Sequence, residues 1–422
     1  MINFKWFLLF PSLLFFMGPV FISAEDSGIS LTLNQAITRA LSNNPEIASF
    51  AFEINKAQGR IIQAGLMSNP DLSLEIENIA GTGDFRNFKS AEGTLLISQE
   101  IQLGNKRDKR KKAFQSEKSL IDWDNRLLKL ELIKKVSLAF YKALGAQEIL
   151  IFNEELVRLS EKVHITARER AQAGKISPLE EIKSKANLAI QNIELKNAEK
   201  ELYAARNELA ALWGGDKFEY NKVEGDIYTL SPLLSLEELK NRISSNPDLF
   251  RWDLEREHRK AIMESEKAQY LPNLEIGGGI RKFKETDAYA YVVELSLPLM
   301  LSDRNQGTIE ESSQRLNQSD KEYLAAKAKA LKELDAAYRE ATASFNEAAT
   351  LKNEIIPGLA LVFNSMQEGY LIGKFSYLEV MDSQRTYYEI NYQYLSSLIN
   401  YHLASIEIER LVSGCHFDQT SN

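Results

Sequence analysis

The sequence contains an internal repeat, and this repeat constrains the fold more than any other feature. The heptapeptides GKISPLE (174–180) and GKFSYLE (373–379) share Gly, Lys, Ser, Leu and Glu at the same positions. Pro70 matches Pro272, 202 residues further on, within stretches that also match on both sides. A chain that repeats itself at a nearly fixed separation folds each copy into the same unit. The two halves should therefore have the same structure.

Each copy shows the same order of hydrophobic periods. A helix begins after an Asn-Pro pair, at Pro45 in the first copy and at Pro247 in the second, where proline suits the first helical turn. Two segments with apolar residues at every second position follow, separated by a polar loop. This period of two predicts one β-hairpin in each copy, at about 71–103 and about 273–300.

The remainder of each copy predicts a very long helical hairpin. Over about 105–213 and about 303–412, apolar residues recur at gaps of three and four, which is the pattern of a coiled-coil seam. At 1.5 Å per residue, each outgoing helix is roughly 100 Å long. Glycine is typical of a helix end and serine of a helix start. The repeated heptapeptides are therefore predicted to be the turns at the far tips of the two hairpins.

The N-terminus has the features of a secretory signal peptide. An apolar run follows the single cation Lys5, and the small pair Ser23-Ala24 precedes two acids. A membrane anchor is the alternative, but the run is short and no cations follow it. The single cysteine, Cys415, cannot form an internal disulfide. The predicted organisation is a signal peptide (1–24), a first repeat (25–213), an inter-repeat linker (214–234), a second repeat (235–412) and a C-terminal tail (413–422).

Charge and motifs argue against several classes of function. A formal net charge of -8 disfavours a nucleic-acid partner. The histidines are scattered, and no cluster of Cys, His and carboxylates has metal-ligand spacing. The glycines at 277–279 are not followed by the Lys and hydroxyl residue of a phosphate loop. We therefore expect no enzyme activity, no catalytic residues, no cofactor and no bound metal.

Four strands in one chain are too few for a membrane barrel, since the smallest such barrels have about eight. Two isolated hairpins would also leave unpaired edges. Several copies must therefore contribute to one sheet, and three chains would supply twelve strands. The alternation gives one apolar face that suits lipid and one polar or small face that suits a lumen.

The order of these elements resembles the TolC-like outer-membrane efflux channels. The phrases NNPEI, AGLMSNPDLSLEIEN and ISQEIQLGNKR are most similar to the cobalt-zinc-cadmium branch, which serves heavy-metal pumps of the resistance-nodulation-division type. The resemblance covers about 31–412. It implies a mainly α fold with a small β part, in which a homotrimer forms a twelve-stranded β-barrel in the outer-membrane lipid, continued by an α-helical barrel across the periplasm.

The resemblance also implies a function and partners. The chain would be the exit duct of a tripartite efflux system, passively conducting heavy-metal cations to the exterior. Its partners would be a periplasmic adaptor (membrane fusion) protein and an inner-membrane resistance-nodulation-division pump. A duct for drug efflux or type I secretion remains an alternative. A non-channel periplasmic coiled-coil scaffold is a further one, although it would have no use for lipid-length strands.

In that family the helix tips contact the adaptor. Helix capping alone would explain the glycine and the serine of each tip, but it does not require the lysine or the Leu-Glu pair twice. The docking residues implied by the resemblance are Gly174, Lys175, Ile176, Ser177, Gly373, Lys374, Phe375 and Ser376.

The tips also form the gate in that family. Glu379 and Asp382 match an inward ring of acids, and their spacing of three puts them on one helical face. A solvated helix face is the alternative interpretation. Tyr370 matches a tyrosine that ties the closed state to an acid at the position of Glu180. Phe375 stands where the family has an arginine, so apolar packing is expected in place of that second tie.

Overall fold

The structure, a computed structural model, describes residues 30–412. The predicted signal peptide, the predicted C-terminal tail and Cys415 lie outside the described residues. The first repeat consists of β1 (Ser30–Thr32), α1 (Leu33–Asn43), α2 (Pro45–Ala64), β2 (Asp71–Glu77), β3 (Glu92–Gln102), α3 (Lys106–Gln172) and α4 (Pro178–Ala211). The second consists of β4 (Lys222–Glu224), α5 (Leu236–Arg242), α6 (Pro247–Ala268), β5 (Asn273–Phe283), β6 (Ala288–Ser296), α7 (Gln306–Thr350), α8 (Ile356–Leu371) and α9 (Tyr377–Val412).

Both copies thus run from helix to β-hairpin to long helical hairpin, which confirms the predicted tandem repeat of a mainly helical chain. The Asn-Pro pair starts the same helix in each copy. The side-chain oxygens of Asn44 and Asn246 accept hydrogen bonds from the first backbone N–H groups of α2 and α6. Their amide nitrogens donate to the carbonyls of Leu212 and Leu411, each at 2.8 Å. One residue therefore both starts a helix and holds the far end of its own repeat.

The two hairpins join into one antiparallel sheet of order β2-β3-β5-β6. The central pair, β3 with β5, comes from different repeats, so the sheet connects the two copies. Within residues 30–412 the outer edges of β2 and β6 have no further strand partner. One face is apolar and exposed, and its residues are Leu72, Leu74, Ile76, Leu95, Ile97, Ile276, Ile280, Tyr291, Val293 and Leu295.

The helical hairpins differ in one respect that the sequence pattern did not predict. Helix α3 is continuous over 67 residues. Its counterpart, the outgoing helix of the hairpin predicted over about 303–412, is divided by a π-helical turn at Leu351–Ile355. Pro357 follows directly, and a proline ring inside a helix clashes with the carbonyl of the preceding turn. A wider turn relieves this clash, so α7 and α8 are separate helices.

The two repeats share a hydrophobic core near the middle of the molecule. It contains Phe140 and Leu144 from α3 as well as Leu398 from α9, all fully buried. Beside it, β1 pairs in parallel with β4. Strand β4 lies within residues 214–234, which were predicted to be an inter-repeat linker. Within residues 30–412, no helix is both long enough and apolar enough to cross a bilayer.

Candidate functional site: the two hairpin tips

The repeated heptapeptides form the same turn at the tip of each helical hairpin. Gly174 and Gly373 have φ angles of 68° and 83°, a left-handed conformation that favours glycine. The next N–H reaches back to the last helical turn in both copies, from Lys175 to the carbonyl of Arg170 at 2.8 Å and from Lys374 to that of Gly369 at 2.7 Å. These bonds satisfy carbonyls that the helix end would otherwise leave free.

Each returning helix begins with a serine cap. Ser177 accepts a hydrogen bond from the N–H of Leu179 at 3.2 Å. Ser376 forms a reciprocal capping box with Glu379, whose carboxylate accepts from the Ser376 N–H at 2.7 Å and from its hydroxyl at 2.8 Å. Both hydrogen bonds lower the pKa of Glu379, and the bond from the backbone N–H has the larger effect. Glu379 therefore has a structural role that the sequence analysis did not assign to it.

The remaining docking residues lie on the outside of the two turns. Lys175 and Lys374 are exposed, whereas Ile176 and Phe375 are half-buried. The Phe375 ring packs against Gly369, where an added Cβ would lie 2.2 Å from the ring. The Lys374 ammonium lies 5.6 Å from the centroid of the same ring. The lysines are thus free to contact a partner, while the aromatic ring is part of the turn.

A contact between the two tips involves Arg170, which the sequence analysis missed. This residue lies in the last turn of α3, and its guanidinium donates to the carbonyl of Tyr370 in α8 at 2.7 Å. It also lies over the Tyr370 ring, 5.1 Å from the centroid. A signal was present in the repeat, because Arg170 aligns with Gly369 and Ala171 aligns with Tyr370. Large residues that occur in only one copy are candidates for contacts between the copies.

The hydrogen bond expected between Tyr370 and Glu180 is not formed within the described chain. Tyr370 is 1% exposed, and its hydroxyl has no hydrogen-bond partner among residues 30–412. Burial raises the pKa of this hydroxyl, the Arg170 charge lowers it, and the nearby Glu180 charge raises it. Glu180 is therefore close, but the tie between the tips is made by Arg170 through the Tyr370 backbone. Within residues 30–412 it is the carbonyl of Tyr370, and not its hydroxyl, that accepts a hydrogen bond from the first hairpin.

The two acids of the expected ring already have partners in their own helix. Glu379 is held by its capping box, and Asp382 accepts a hydrogen bond from Arg385 at 2.9 Å. Asp382 is exposed and its pair with Arg385 is a surface ion pair, which stabilises a helix only weakly. In the part of the chain that the structure describes, no group of three or more His, Cys, Asp or Glu residues is arranged to hold a metal ion.

The polar face of the sheet is acidic. Arg281 donates to the hydroxyl of Thr94 at 2.8 Å and to the carboxylate of Glu92 at 3.3 Å, and it also pairs with Glu77 at 3.4 Å. On this face of the four strands Arg281 is outnumbered by seven acids, which are Asp71, Glu75, Glu77, Glu92, Glu100, Glu275 and Glu294. Such a surface attracts cations when it lines a narrow passage.

An open-edged sheet with one apolar and one acidic face, continued by two long helical hairpins with capped tips, defines a subunit of an outer-membrane channel. A profile of the family described as outer membrane efflux protein matches residues 36–215 and 239–414, and the chain belongs to this family. The resemblance to the TolC-like channels is thereby confirmed. So is the predicted location in the outer membrane with an extension into the periplasm.

Curated relatives point to the branch that the sequence phrases indicated. The chain is 28% identical over 396 residues to the cobalt-zinc-cadmium resistance protein CzcC of Cupriavidus metallidurans, covering 94% of this chain and 93% of the relative. It is 22% identical to the pyoverdine export outer membrane protein OpmQ of Pseudomonas putida, covering 90% and 86%.

Solved structures show the same fold at low sequence identity. CusC, whose crystal structures concern folding and transmembrane channel formation, superposes with a TM-score of 0.73 at 16% identity, covering 92% of this chain and 93% of that one. The outer membrane protein VceC of Vibrio cholerae gives 0.71 at 17% identity, covering 90% and 96%.

Proposed function

We propose that three copies of this chain close a twelve-stranded barrel and an α-helical tunnel, and that this duct passively conducts heavy-metal cations out of the cell. The observation that supports it best is the sheet, whose two outer edges lack a partner strand within residues 30–412. Long exposed edges of this kind tend to pair with a strand of another chain. Pairing β6 of one copy with β2 of the next would continue the sheet and enclose its acidic face.

The stoichiometry gives the first prediction. The mature protein extracted in mild detergent is expected to have the mass of three chains and to shift to a single chain only after heating, because a closed sheet resists detergent. Native mass spectrometry or light scattering measures this directly. A monomer or a dimer would contradict the barrel, since four or eight strands would leave this chain's duct open or too narrow.

The cargo proposal rests on two observations. The polar face of the sheet carries seven carboxylates against Arg281, and the relative CzcC is named for cobalt, zinc and cadmium resistance. Deleting the gene in its own host is expected to raise sensitivity to these cations several-fold, with rescue by the intact chain. Drug sensitivity or a secretion defect in place of metal sensitivity would favour the alternative ducts. Because the relative OpmQ is named for pyoverdine export, pyoverdine export by the deletion strain should be measured alongside metal sensitivity.

We assign docking of a periplasmic adaptor, itself working with a resistance-nodulation-division pump, to the exposed tip lysines. Lys175→Glu with Lys374→Glu is expected to reduce crosslinking to the adaptor and metal efflux at least tenfold, because acids of the partner that pair with the two lysines would then face like charges. Lys185→Glu with Lys196→Glu is the matched control, since both lysines are exposed on α4 away from the tips. Normal docking of the tip variant, with normal expression, would remove this role from the lysines.

A further inference from the structure

Helix α3 opens with a dense group of cations that its counterpart lacks. Residues 106–112 read KRDKRKK, with six cations and one acid, whereas residues 306–312 read QGTIEES. Both helices begin in the same way, after Asn105 and Asn305 with φ angles of 55° and 59°. The fold of the helix start therefore does not require the cations. They also oppose the helix dipole, which disfavours positive charge at an N-terminus.

Two of the six cations have partners inside the protein. The Lys106 ammonium donates to the side-chain oxygen of Asn273 at 2.5 Å, and Lys106 is 4% exposed. Arg110 donates to the carbonyl of Ala64 at 3.0 Å. These two residues attach the start of α3 to β5 and to the end of α2.

Of the other four cations, Lys109 is half-buried, and Arg107, Lys111 and Lys112 are exposed and lack such partners. Among residues 30–412, the only carboxylate within 4.0 Å of Arg107 is that of the adjacent Asp108, and Lys111 and Lys112 have none. All three side chains are exposed. At 100° per residue, Arg107 and Lys111 lie about 100° and 140° to one side of Lys106, and Lys112 lies about 120° to the other side, while Lys106 faces the acidic surface of the sheet. The three cations therefore project away from the lumenal side.

The same edge of the sheet continues the apolar outer face. Exposed apolar residues surround the start of α3 in sequence and in the sheet. They are Leu66 and Met67 before β2, Ile101 and Leu103 at the end of β3, and Leu297, Leu299 and Leu301 after β6. In an outer-membrane protein, a transition from exposed apolar residues to cations occurs at the depth of the lipid phosphates.

We propose that Arg107, Lys111 and Lys112 bind the headgroups of anionic phospholipids in the periplasmic leaflet of the outer membrane. The phosphates supply the negative charge that the protein does not provide there, and the acyl chains lie on the apolar face directly beside them. The matching helix start in the second repeat has Glu310 and Glu311 and no cations, so each chain offers one such site. A trimer would therefore hold three sites, alternating with acidic segments. The sites would fix the height of the barrel in the membrane.

The test uses the full mature protein in detergent, titrated with short-chain phosphatidylglycerol or phosphatidylcholine and followed by native mass spectrometry. Wild type is expected to prefer phosphatidylglycerol in a salt-dependent manner. The variant R107Q/K111Q/K112Q should lose this preference, with about a fivefold change in affinity for each cation removed. The control K185Q/K196Q/K200Q removes the same charge from α4 and should keep it.

Three outcomes would overturn the proposal. The first is an unchanged preference in R107Q/K111Q/K112Q, measured on protein that still resists urea like wild type. The second is an equal loss in the control, which would show an effect of net charge only. The third is competition by inorganic phosphate as effective as that by phosphatidylglycerol at the same concentration, which would assign the cluster to free phosphate.

Discussion

Replacing Gly279 with alanine is expected to abolish assembly of the protein in the outer membrane. A Cβ at this position would lie 2.2 Å from the carbonyl oxygen of Leu95 and 2.9 Å from the Cα of Leu96, and both are backbone atoms of β3. A flexible side chain could move aside, but the backbone of a paired strand cannot move without losing its register. Overpacking of this kind costs about 3 kcal/mol per chain.

The location makes the effect larger than in an ordinary strand. β3 and β5 are the strands of the four-stranded sheet that join the two repeats, so a shift between them separates the hairpins that one chain contributes to the sheet. The measurement is the amount of urea-resistant, heat-modifiable protein in the outer-membrane fraction. We expect a loss of tenfold or more for Gly279→Ala.

The adjacent residue provides a matched control. A Cβ at Gly278 would have no heavy atom within 4 Å, because this residue lies on the exposed apolar face. Gly278→Ala should therefore assemble normally, because its Cβ meets no other atom and alanine reduces the conformational freedom of the unfolded chain. Similar assembly of both variants would mean that the strands adjust their spacing and that the close approach at Gly279 is not required.

The sequence pattern predicts the local features of this sheet but not the close approach of its strands at Gly279. Alternating residues such as Leu72, Leu74 and Ile76 predict strands and their faces, because a period of two is visible in the sequence itself. The repeated GK-S-LE stretches predict capped tips for the same reason, since left-handed glycines and serine caps are local features. The approach of Leu95 to Gly279 depends on pairing across 184 residues of chain, which no local pattern specifies.

The elements that the pattern missed have a common cause. The π-helical turn at Leu351–Ile355 follows from a single Pro357 within an otherwise regular seam, and periodicity averages over such a point. The strand β4 has only three residues and exists because β1 pairs with it. The acceptor of Arg170 is a backbone carbonyl on the other repeat, which has no sequence signature, so only the mismatch between the two copies at this position marked Arg170.

We propose that the contact between Arg170 and Tyr370 at the two tips holds the gate closed. If opening moves the second hairpin away from the first, the hydrogen bond from Arg170 to the Tyr370 carbonyl must break. A hydrogen bond from a charged donor is worth about 1.5 to 3 kcal/mol, and a cation over an aromatic ring adds about 0.5 to 2 kcal/mol. Three copies would together exceed the roughly 5.5 kcal/mol that moves a two-state balance from 1:99 to 99:1.

Arg170→Ala is therefore expected to convert a mostly closed duct into a mostly open one, seen as a large rise in single-channel conductance in planar bilayers. Tyr370→Phe should leave conductance unchanged, because the Tyr370 hydroxyl has no hydrogen-bond partner among residues 30–412 and the backbone carbonyl remains. Arg170→Lys should fall between them, since lysine keeps the charge but loses the planar group that stacks and donates together. The opposite order, with Tyr370→Phe open and Arg170→Ala closed, would return the tie to the phenol and Glu180.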